Sequence, residues 1–403
     1  MGDSRVEAIR YIKSVRRYLT ARWLGRRWPR VYTSPLGVVE LAHIPEQPLP
    51  SPEWVRVRPT LSGICGSDLA TVTAQGSAYF SPLSSAPFVL GHEVVGRVVE
   101  TGSQATEFRA GERVILEPPL HCRIRGNQPA CRQCQAGRRA LCEKITEGAV
   151  SAGIQTGFCR DTGGGWSESF VAHRLQLHRA PESLSDEVAV LAEPFSCCLH
   201  AVRKAAPENS SRVLVIGCGA MGLLTIAALR LLGLSSHITA VARYPHQQRE
   251  AHIQGSDQVT ESLEPLERLA ADLGARLFPA EIGRPTGLGG VDACFDCVGS
   301  ELTIDIALRL TRAGGRVVLV GMPAIPRGVD WTAIWHKELI VEGSYTSSPE
   351  TFREAIELAN RNPSRLESLV GEAYDLGEFR QAIQCALHTG RSGTVKTVFR
   401  IGN

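Results

Sequence analysis

The sequence lacks a hydrophobic segment long enough to cross a bilayer. The strongly apolar run without a charged residue, Val213–Leu229, falls short of the about 20 apolar residues that a spanning helix needs. The N-terminal region also lacks the basic, apolar and small-residue zones of a secretory signal peptide. We therefore expect a protein without a membrane span that resides in the cytoplasm.

A large net charge is also missing, because 44 Lys and Arg residues face 41 Asp and Glu residues and leave a net charge of +3. Such a balance provides no overall attraction to nucleic acid. Neither low-complexity tracts nor repeats at solenoid or propeller periods occur. At 403 residues the chain exceeds what one core usually supports, so we expect two domains and a small-molecule partner.

Cysteine, in contrast, is plentiful, with 12 residues in a chain much longer than a secreted disulfide scaffold. Four cysteines fall close together with the spacing C-x8-C-x2-C-x7-C, at Cys122, Cys131, Cys134 and Cys142. Four thiolates in one short loop can close a tetrahedral zinc site, which contributes folding energy rather than chemistry. The pattern therefore predicts a structural zinc lobe over residues 118–145.

Residues 1–30 are strongly basic and contain interleaved Trp and Tyr. Their apolar residues recur every three positions, at Val6, Ile9, Ile12 and Val15. This spacing predicts an amphipathic helix. We favour a helical extension that packs on its own subunit or on a neighbour, with membrane-surface contact as an alternative. Asp3 and Glu7 are atypical of a targeting peptide.

Two kinds of pattern follow along the chain. From Tyr32 to about Phe170, short β-like runs such as Trp54–Val57 and Val94–Val99 alternate with Gly, Pro and Ser, which predicts an antiparallel, barrel-like domain. Strands then alternate with helical stretches, which predicts a parallel sheet with crossover helices. The strand candidates there are Val213–Ile216, Ile238–Val241, Ala293–Asp296 and Val317–Val320. A last strand at 394–399 indicates that the tail returns to the first domain.

A G-x-G-x-x-G motif follows the first of these strands and opens a helix. It comprises Gly217, Cys218, Gly219, Ala220, Met221 and Gly222. The first glycine permits a tight turn, the second permits close approach of a pyrophosphate, and the third permits helix–strand packing. In this context the motif predicts dinucleotide binding.

The residue that selects between NAD and NADP usually lies about 20 residues further on. At that position, the end of the strand Ile238–Val241, no carboxylate is present, and Ala242 is followed by Arg243. A guanidinium suits a 2′-phosphate. We therefore favour NADP over NAD, the alternative being that Arg243 simply points into solvent.

Three residues of zinc-binding type are spread along the first domain: Cys65, His92 and Glu193. Three protein ligands and one open position define a catalytic zinc site. Taken singly, each residue has a structural explanation, as a buried thiol, a core histidine or a helix-capping carboxylate. Their occurrence together with a dinucleotide turn favours catalysis.

The surrounding motifs add a specific resemblance. Gly91-His92-Glu93, followed by Gly96, Gly102 and Ala105, resembles the signature of the zinc-containing alcohol dehydrogenases of the medium-chain dehydrogenase/reductase family. The resemblance covers about Tyr32 to Phe399 and favours the polyol and threonine dehydrogenase branch. It implies an α/β protein with a GroES-like, mainly antiparallel β catalytic domain (31–194 and 337–403) and a doubly wound, parallel-sheet Rossmann domain (195–336). It also implies a homodimer or homotetramer.

The same resemblance implies roles for individual residues. Cys65, His92 and Glu193 match the catalytic zinc ligands, with Cys197 or Cys198 as the alternative third ligand. Glu93 resembles an exchangeable outer ligand, Asp68 a carboxylate that orients the histidine, and Ser67 the hydroxyl that takes the substrate proton. With the cysteine lobe, this amounts to two zinc ions per chain.

The chain departs from the family pattern at three places. Gly66 replaces an arginine that contacts the pyrophosphate in many liver-type members, and Ala70 replaces a histidine of their proton relay. The cysteine lobe carries six more residues before Cys131 than the usual C-x2-C-x2-C-x7-C spacing. The first two differences leave the outer part of the proton path unassigned. The longer spacing leaves open whether Cys122 completes the structural zinc site.

We therefore predict a zinc-dependent oxidoreductase that transfers a hydride between an alcohol, polyol or amino alcohol and NAD(P), acting on a small alcohol or carbonyl substrate. The alternatives are a zinc-free quinone or enoyl reductase of the same superfamily, and a dehydrogenase fold without activity that serves as a binding protein.

Overall fold

The computed structural model describes residues 4–322 and 325–402. In chain order its strands are β1 (Arg5–Tyr11), β2 (Val39–Pro45), β3 (Trp54–Gly63), β4 (Phe88–Val89), β5 (Val94–Thr101), β6 (Arg113–Leu116), β7 (Phe170–His173), β8 (Leu177–Arg179), β9 (Arg212–Ile216), β10 (His237–Val241), β11 (Gln258–Thr260), β12 (Ala275–Phe278), β13 (Thr286–Gly289), β14 (Val291–Asp296), β15 (Thr311–Leu319), β16 (Ile340–Gly343), β17 (Val370–Tyr374) and β18 (Lys396–Arg400).

The α-helices are α1 (Val15–Leu24), α2 (Gly66–Val72), α3 (Arg132–Gln135), α4 (Asp186–Ala189), α5 (Ala192–Ala205), α6 (Ala220–Leu231), α7 (Pro245–Gln254), α8 (Leu266–Asp272), α9 (Glu301–Leu310), α10 (Thr332–Lys337), α11 (Pro349–Arg361), α12 (Pro363–Leu366), α13 (Phe379–Leu387) and α14 (Thr389–Ser392). The chain forms two compact units. Unit 1 extends to Glu193 and includes Ser348–Pro363 and the chain from Val370 onward; unit 2 comprises Pro194–Ser347 and Ser364–Leu369.

Unit 1 is built on a seven-stranded sheet in the order β17-β18-β3-β5-β6-β8, with β7 paired to β3. Its pairs are antiparallel except for β17 with β18. The last strand pairs with β3, placing Val398 opposite Gly63. The prediction that the tail returns to the first domain is therefore confirmed.

Unit 2 contains a six-stranded parallel sheet in the order β11-β10-β9-β14-β15-β16. The four strands predicted from the sequence correspond to β9, β10, β14 and β15. The strand order reverses next to β9, since the chain moves outward first through β10 and β11 and then through β14 to β16. Open parallel sheets bind ligands at the carboxyl ends of the strands at such a point. The predicted fold class, with an antiparallel and a parallel α/β part, is confirmed.

The N-terminal segment differs from the prediction. Residues 5–11 form strand β1 rather than the start of a helix; the ladder with β2 runs from Arg5 opposite Pro45 to Tyr11 opposite Val39. β-Branched residues favour a pleated strand, and the partner strand satisfies the backbone hydrogen bonds. The helix begins only at Val15, where the Ser14 hydroxyl accepts the Arg17 N–H at 3.4 Å. A helix starting at Val6 is therefore wrong.

The same segment contributes to the core of unit 1. Ile9 and Ala21 are fully buried and belong to the hydrophobic cluster that contains Phe88, Trp166 and Phe399. Residues 5–24 are thus an integral part of unit 1. Among the described residues, we find no helix with the length and apolar character that a membrane crossing requires.

Candidate active site

The start of α2 holds Cys65 and Asp68 in a fixed relation. Cys65 caps the helix, and its backbone N–H donates to the Asp68 Oδ2 atom at 3.0 Å. A carboxylate in the first turn is favoured by the partial positive charge of the helix N-terminus. Asp68 is completely buried, and its second oxygen, Oδ1, remains available for another partner.

That oxygen lies toward His92. The His92 Nδ1 atom is 3.4 Å from the Asp68 Oδ1 atom, and both side chains are buried. Neither atom has a hydrogen-bond partner within the described ranges. Burial lowers the pKa of His92, but the Asp68 carboxylate and the Cys65 thiol raise it to well above its ordinary value. Because Nδ1 faces Asp68, the other ring nitrogen, Nε2, is the atom that would bind a metal.

The glycine before His92 has a steric explanation. Gly91 adopts a φ of +93°, and a Cβ atom there would lie 2.4 Å from the Trp166 Cδ1 atom. The Trp166 indole in turn donates to the Gly63 carbonyl at 3.1 Å. The Gly-His-Glu turn is therefore packed against the end of β3.

Glu93 forms a fully buried ion pair with Lys396, a residue that the sequence analysis did not select. Burial lowers the pKa of Lys396, but the charges of Glu93, Cys65 and Glu193 outweigh this and raise it. A Cβ on Gly63 would lie 2.0 Å from the Glu93 Oε2 atom, so the pair occupies the space that this glycine leaves. The available sequence signal was a lysine within the mainly apolar stretch 395–399.

Glu193 and Ser67 occupy the first turns of α5 and α2, and Glu193 is buried. Among the described residues, Cys65, His92 and Glu193 do not form a metal-type group of the kind that the cysteines described below form. Cys198, the alternative ligand, instead donates its thiol to the Met221 carbonyl at 3.1 Å.

The four cysteines of the lobe do come together. Their sulfur atoms all lie within 4.8 Å of one another, and the Cys122 and Cys142 sulfurs are 3.6 Å apart. The edge of a zinc–sulfur tetrahedron is about 3.8 Å when the bonds are about 2.3 Å. Burial raises the pKa of Cys131, but the backbone N–H groups of Glu143 and Cys134 lower it to about 6. The cluster therefore has the sulfur spacing that zinc requires. Cys131 is stabilised as a thiolate, whereas burial raises the pKa of Cys142 to about 11 and also raises the pKa of Cys134.

The long spacing before Cys131 is accommodated by Arg125, which is 1% exposed. Its guanidinium donates to the backbone carbonyls of Leu120 (2.9 Å), Glu147 (3.2 Å), Val150 (2.9 Å), Ser151 (3.2 Å) and Gly153 (2.6 Å). The inserted residues are thus fixed by a buried side chain and do not form a free loop. This explains how Cys122 returns to the other three cysteines.

The glycine-rich turn between β9 and α6 has a different steric requirement at each glycine. Gly217 has a φ of +89°. A Cβ on Gly222 would lie 2.0 Å from the Gly217 carbonyl oxygen, whereas a Cβ on Gly219 would meet no atom within 4 Å. Ala220 and Met221 form the first turn of α6. The turn is therefore closed toward the sheet and open at Gly219, as the approach of a pyrophosphate requires.

Arg243 lies at the same edge of the sheet. Val241, the last residue of β10, pairs with Ile216, which immediately precedes the turn. Arg243 is exposed, and its guanidinium lies 5.6 Å from the ring centroid of Tyr244. A cationic group and an aromatic ring thus follow the neighbouring strand.

Comparison with known proteins agrees with these features. The alcohol dehydrogenase GroES-like domain family matches residues 51–182, and the zinc-binding dehydrogenase family matches residues 220–361. L-Idonate 5-dehydrogenase of Vitis vinifera is 31% identical over 303 residues, which cover 74% of this chain and 75% of the relative. This chain belongs to the zinc-containing medium-chain alcohol dehydrogenase superfamily. It is accordingly a zinc-dependent, nicotinamide-using oxidoreductase, as predicted.

Further comparisons give a second relative by sequence and two solved structures with a similar fold. Sorbitol dehydrogenase of Arabidopsis thaliana is 32% identical over 300 residues, covering 71% of this chain and 75% of the relative. The crystal structure of 2R,3R-butanediol dehydrogenase from Bacillus subtilis has a TM-score of 0.72 at 23% identity, and the match covers 98% of this chain and 100% of that chain. A candidate zinc-binding dehydrogenase from Sinorhizobium meliloti 1021, solved with NADP, has a TM-score of 0.71 at 25% identity over 98% of this chain and 99% of that chain.

The second and third glycines of the G-x-G-x-x-G motif, Gly219 and Gly222, provide a matched pair of variants. Gly222→Ala places a methyl group against the Gly217 carbonyl and is expected to cost about 1–3 kcal/mol of unfolding free energy. Gly219→Ala is expected to leave the thermal midpoint unchanged but to weaken dinucleotide binding by at least about tenfold, since the methyl occupies the ligand's space. Thermal unfolding and fluorescence titration with NAD and NADP measure both effects. Wild-type affinity in Gly219→Ala would contradict the assigned binding mode.

Proposed function

We propose that Cys65, His92 and Glu193 bind a catalytic zinc ion and that this chain transfers a hydride between a CH–OH group and NAD(P). The observation that carries the proposal is the buried carboxylate of Asp68. It accepts the backbone N–H of Cys65 with one oxygen and faces the His92 Nδ1 atom with the other. Metal-binding histidines are commonly oriented by such a carboxylate. Sulfur, imidazole and carboxylate are all good zinc donors.

Within this site, each residue of the chain has a defined task. With a metal on Nε2 of His92, the Asp68 Oδ1 atom, 3.4 Å from Nδ1, would accept the Nδ1 proton and so orient the ring. Lys396 neutralises the buried Glu93 carboxylate and holds it beside Gly63. Ser67, in the same turn as Cys65, accepts the proton that the substrate hydroxyl releases. A bound zinc ion supplies Lewis-acid polarisation of the substrate oxygen, and a bound nicotinamide accepts or donates the hydride.

We assign a second, structural zinc ion to the four cysteines of the lobe. The spacing of their sulfur atoms and the lowered pKa of Cys131 support this assignment. This site has no open position for a substrate, because four protein ligands complete a tetrahedron. The proposed content is thus two zinc ions per chain with separate functions.

A polyol or amino alcohol is the proposed substrate class. Relatives named as L-idonate, sorbitol and L-threonine dehydrogenases support it, as do Gly66 and Ala70 at positions where liver-type members differ. A panel of simple alcohols, polyols and amino alcohols, read by nicotinamide absorbance, tests it. Turnover confined to simple alcohols would contradict the proposed substrate class. A protein that binds zinc and dinucleotide but turns over no compound of a broad panel would favour a dehydrogenase fold without activity.

The preference for NADP is proposed from Arg243. Arg243→Ala is expected to raise the KM for NADP by about tenfold, equivalent to about 1.4 kcal/mol, with little change for NAD. Arg268→Ala, which removes an exposed arginine on α8, is the control. Initial rates with both cofactors measure the effect. An unchanged ratio of NADP to NAD efficiency would mean that Arg243 does not contact the 2′-phosphate.

Cytoplasmic location and a homodimeric or homotetrameric state remain predictions. Cell fractionation and light scattering of the purified protein test them. A zinc-free reductase activity is disfavoured by the presence of all three ligand residues and Asp68, and zinc analysis tests this alternative directly.

A further inference from the structure

The basic N-terminal segment presents an apolar stripe that its own unit does not cover. Val15, Leu19 and Trp23 are spaced four residues apart on α1 and therefore share one face of the helix. Val15 and Trp23 are each 76% exposed, and the nearby Trp28 is 56% exposed. The helix is nevertheless anchored, because Ala21 is completely buried in the core of unit 1. We call Val15, Leu19 and Trp23 of this helix face, together with the exposed Trp28 that follows the helix, the α1 apolar surface.

Basic residues are frequent in the same stretch of the chain. The chain has no Asp or Glu between Glu7 and Glu40. Some of its arginines are used internally: Arg10 and Arg17 pair with Glu40 at 2.8 and 3.3 Å. Arg22 donates to the Ala74 carbonyl at 2.9 Å. Five further basic residues near α1 are exposed and form no ion pair with any residue in the described ranges: Lys13, Arg16, Arg26, Arg27 and Arg30. Five exposed positive charges thus lie within residues 13–30, the same stretch of chain as the α1 apolar surface, without an ion-pair partner among the described residues.

We propose that the α1 apolar surface and these five cations dock the protein reversibly on an anionic lipid bilayer. Tryptophan prefers the headgroup level of a membrane, and helices that lie in this interface combine Trp and Leu with flanking Lys and Arg. Each basic residue near an anionic surface adds to the attraction. The aliphatic side chains of Val15 and Leu19 fit the acyl boundary of a bilayer.

Other occupants fit this surface less well. In a two-fold dimer each copy would present the same surface to the other, which would bring two uncompensated cationic clusters together. Single-stranded nucleic acid would match the cations and the indole rings, but it would leave the exposed aliphatic residues without a suitable partner. The lipid surface matches the charge and the apolar stripe together.

The test is co-sedimentation of the full chain with vesicles of phosphatidylcholine alone or of equal parts phosphatidylcholine and phosphatidylglycerol. We expect binding only to the mixed vesicles and release in about 1 M salt, where the Debye length is about 3 Å. Trp23→Ser/Trp28→Ser and Arg26→Glu/Arg27→Glu should each weaken binding by at least about tenfold. Dehydrogenase turnover should be unchanged, since these residues lie outside the proposed catalytic and cofactor sites.

Matched controls exist in unit 2. Trp331→Ser/Trp335→Ser and Arg268→Glu/Arg276→Glu remove exposed residues of the same types and should bind like the wild type. The proposal is overturned if mixed vesicles are not bound or if the controls weaken binding equally. It is also overturned if the tryptophan variant binds normally, if single-stranded RNA is bound in preference to the vesicles, or if the tryptophan variant dissociates an oligomer in light scattering. Thermal unfolding verifies that each variant is folded.

Discussion

Replacing Cys65 by alanine is expected to remove one zinc ion per chain and to lower kcat/KM by at least about 10³-fold, because polarisation of the substrate oxygen by a metal contributes several kcal/mol. The Cys65 thiol is the proposed zinc ligand at the start of α2, and the Asp68 carboxylate accepts the Cys65 backbone N–H. Since Cys65 is only partly buried, the methyl group should be tolerated and the thermal midpoint should fall little. Zinc analysis and steady-state kinetics on the same preparation measure both effects.

The matched control is Cys385→Ala, which removes another partly buried thiol of unit 1. It should retain both zinc ions and wild-type turnover. Full activity and full zinc content in Cys65→Ala would show that the catalytic ligand set is wrong. Loss of activity without loss of zinc would place Cys65 in the site but not on the metal.

Cys142→Ser is expected to act on stability instead of chemistry. Its sulfur lies 3.6 Å from that of Cys122 in a buried cluster, so the variant should lose the structural zinc ion and about 4 kcal/mol or more of unfolding free energy. At about 2–4 °C per kcal/mol for units of this size, the Tm should fall by about 8–16 °C. Scanning calorimetry and zinc analysis measure the loss.

Cys142→Ser protein that remains folded at low temperature should keep most of its kcat, since the cysteine lobe contributes no group to the proposed chemistry. Cys159→Ala, another buried cysteine of unit 1 outside the cluster, is the control and should retain two zinc ions. A Cys142→Ser variant with the wild-type Tm and zinc content would contradict a structural metal in the lobe.

Much of the fold was predictable because it depends on local patterns. The glycines of the turn after β9 each have a separate steric reason, and such requirements are visible in sequence as fixed spacings. The alternation of apolar strands with helical stretches is also a local pattern, and it predicted the parallel sheet. The neighbourhood of Cys65, Asp68 and His92 was suggested by the family signature rather than by any local rule.

The features that escaped prediction depend on contacts between distant parts of the chain. Lys396 lies 303 residues from its partner Glu93, and no local pattern connects them. Arg125 resembles any other arginine of a basic loop until its five carbonyl partners are known. The segment 5–11 became a strand because β2 and β4 provide partners for it, a factor that a three-residue period does not reveal.

The most direct test of the proposed function is nicotinamide-linked turnover of the same protein before zinc removal, after zinc removal and after zinc return. The substrate would be the best member of the alcohol and polyol panel. We predict that a chelator abolishes turnover, that added zinc restores it, and that the active protein contains two zinc ions per chain. Turnover that persists in protein shown to be free of zinc would contradict the proposed zinc chemistry.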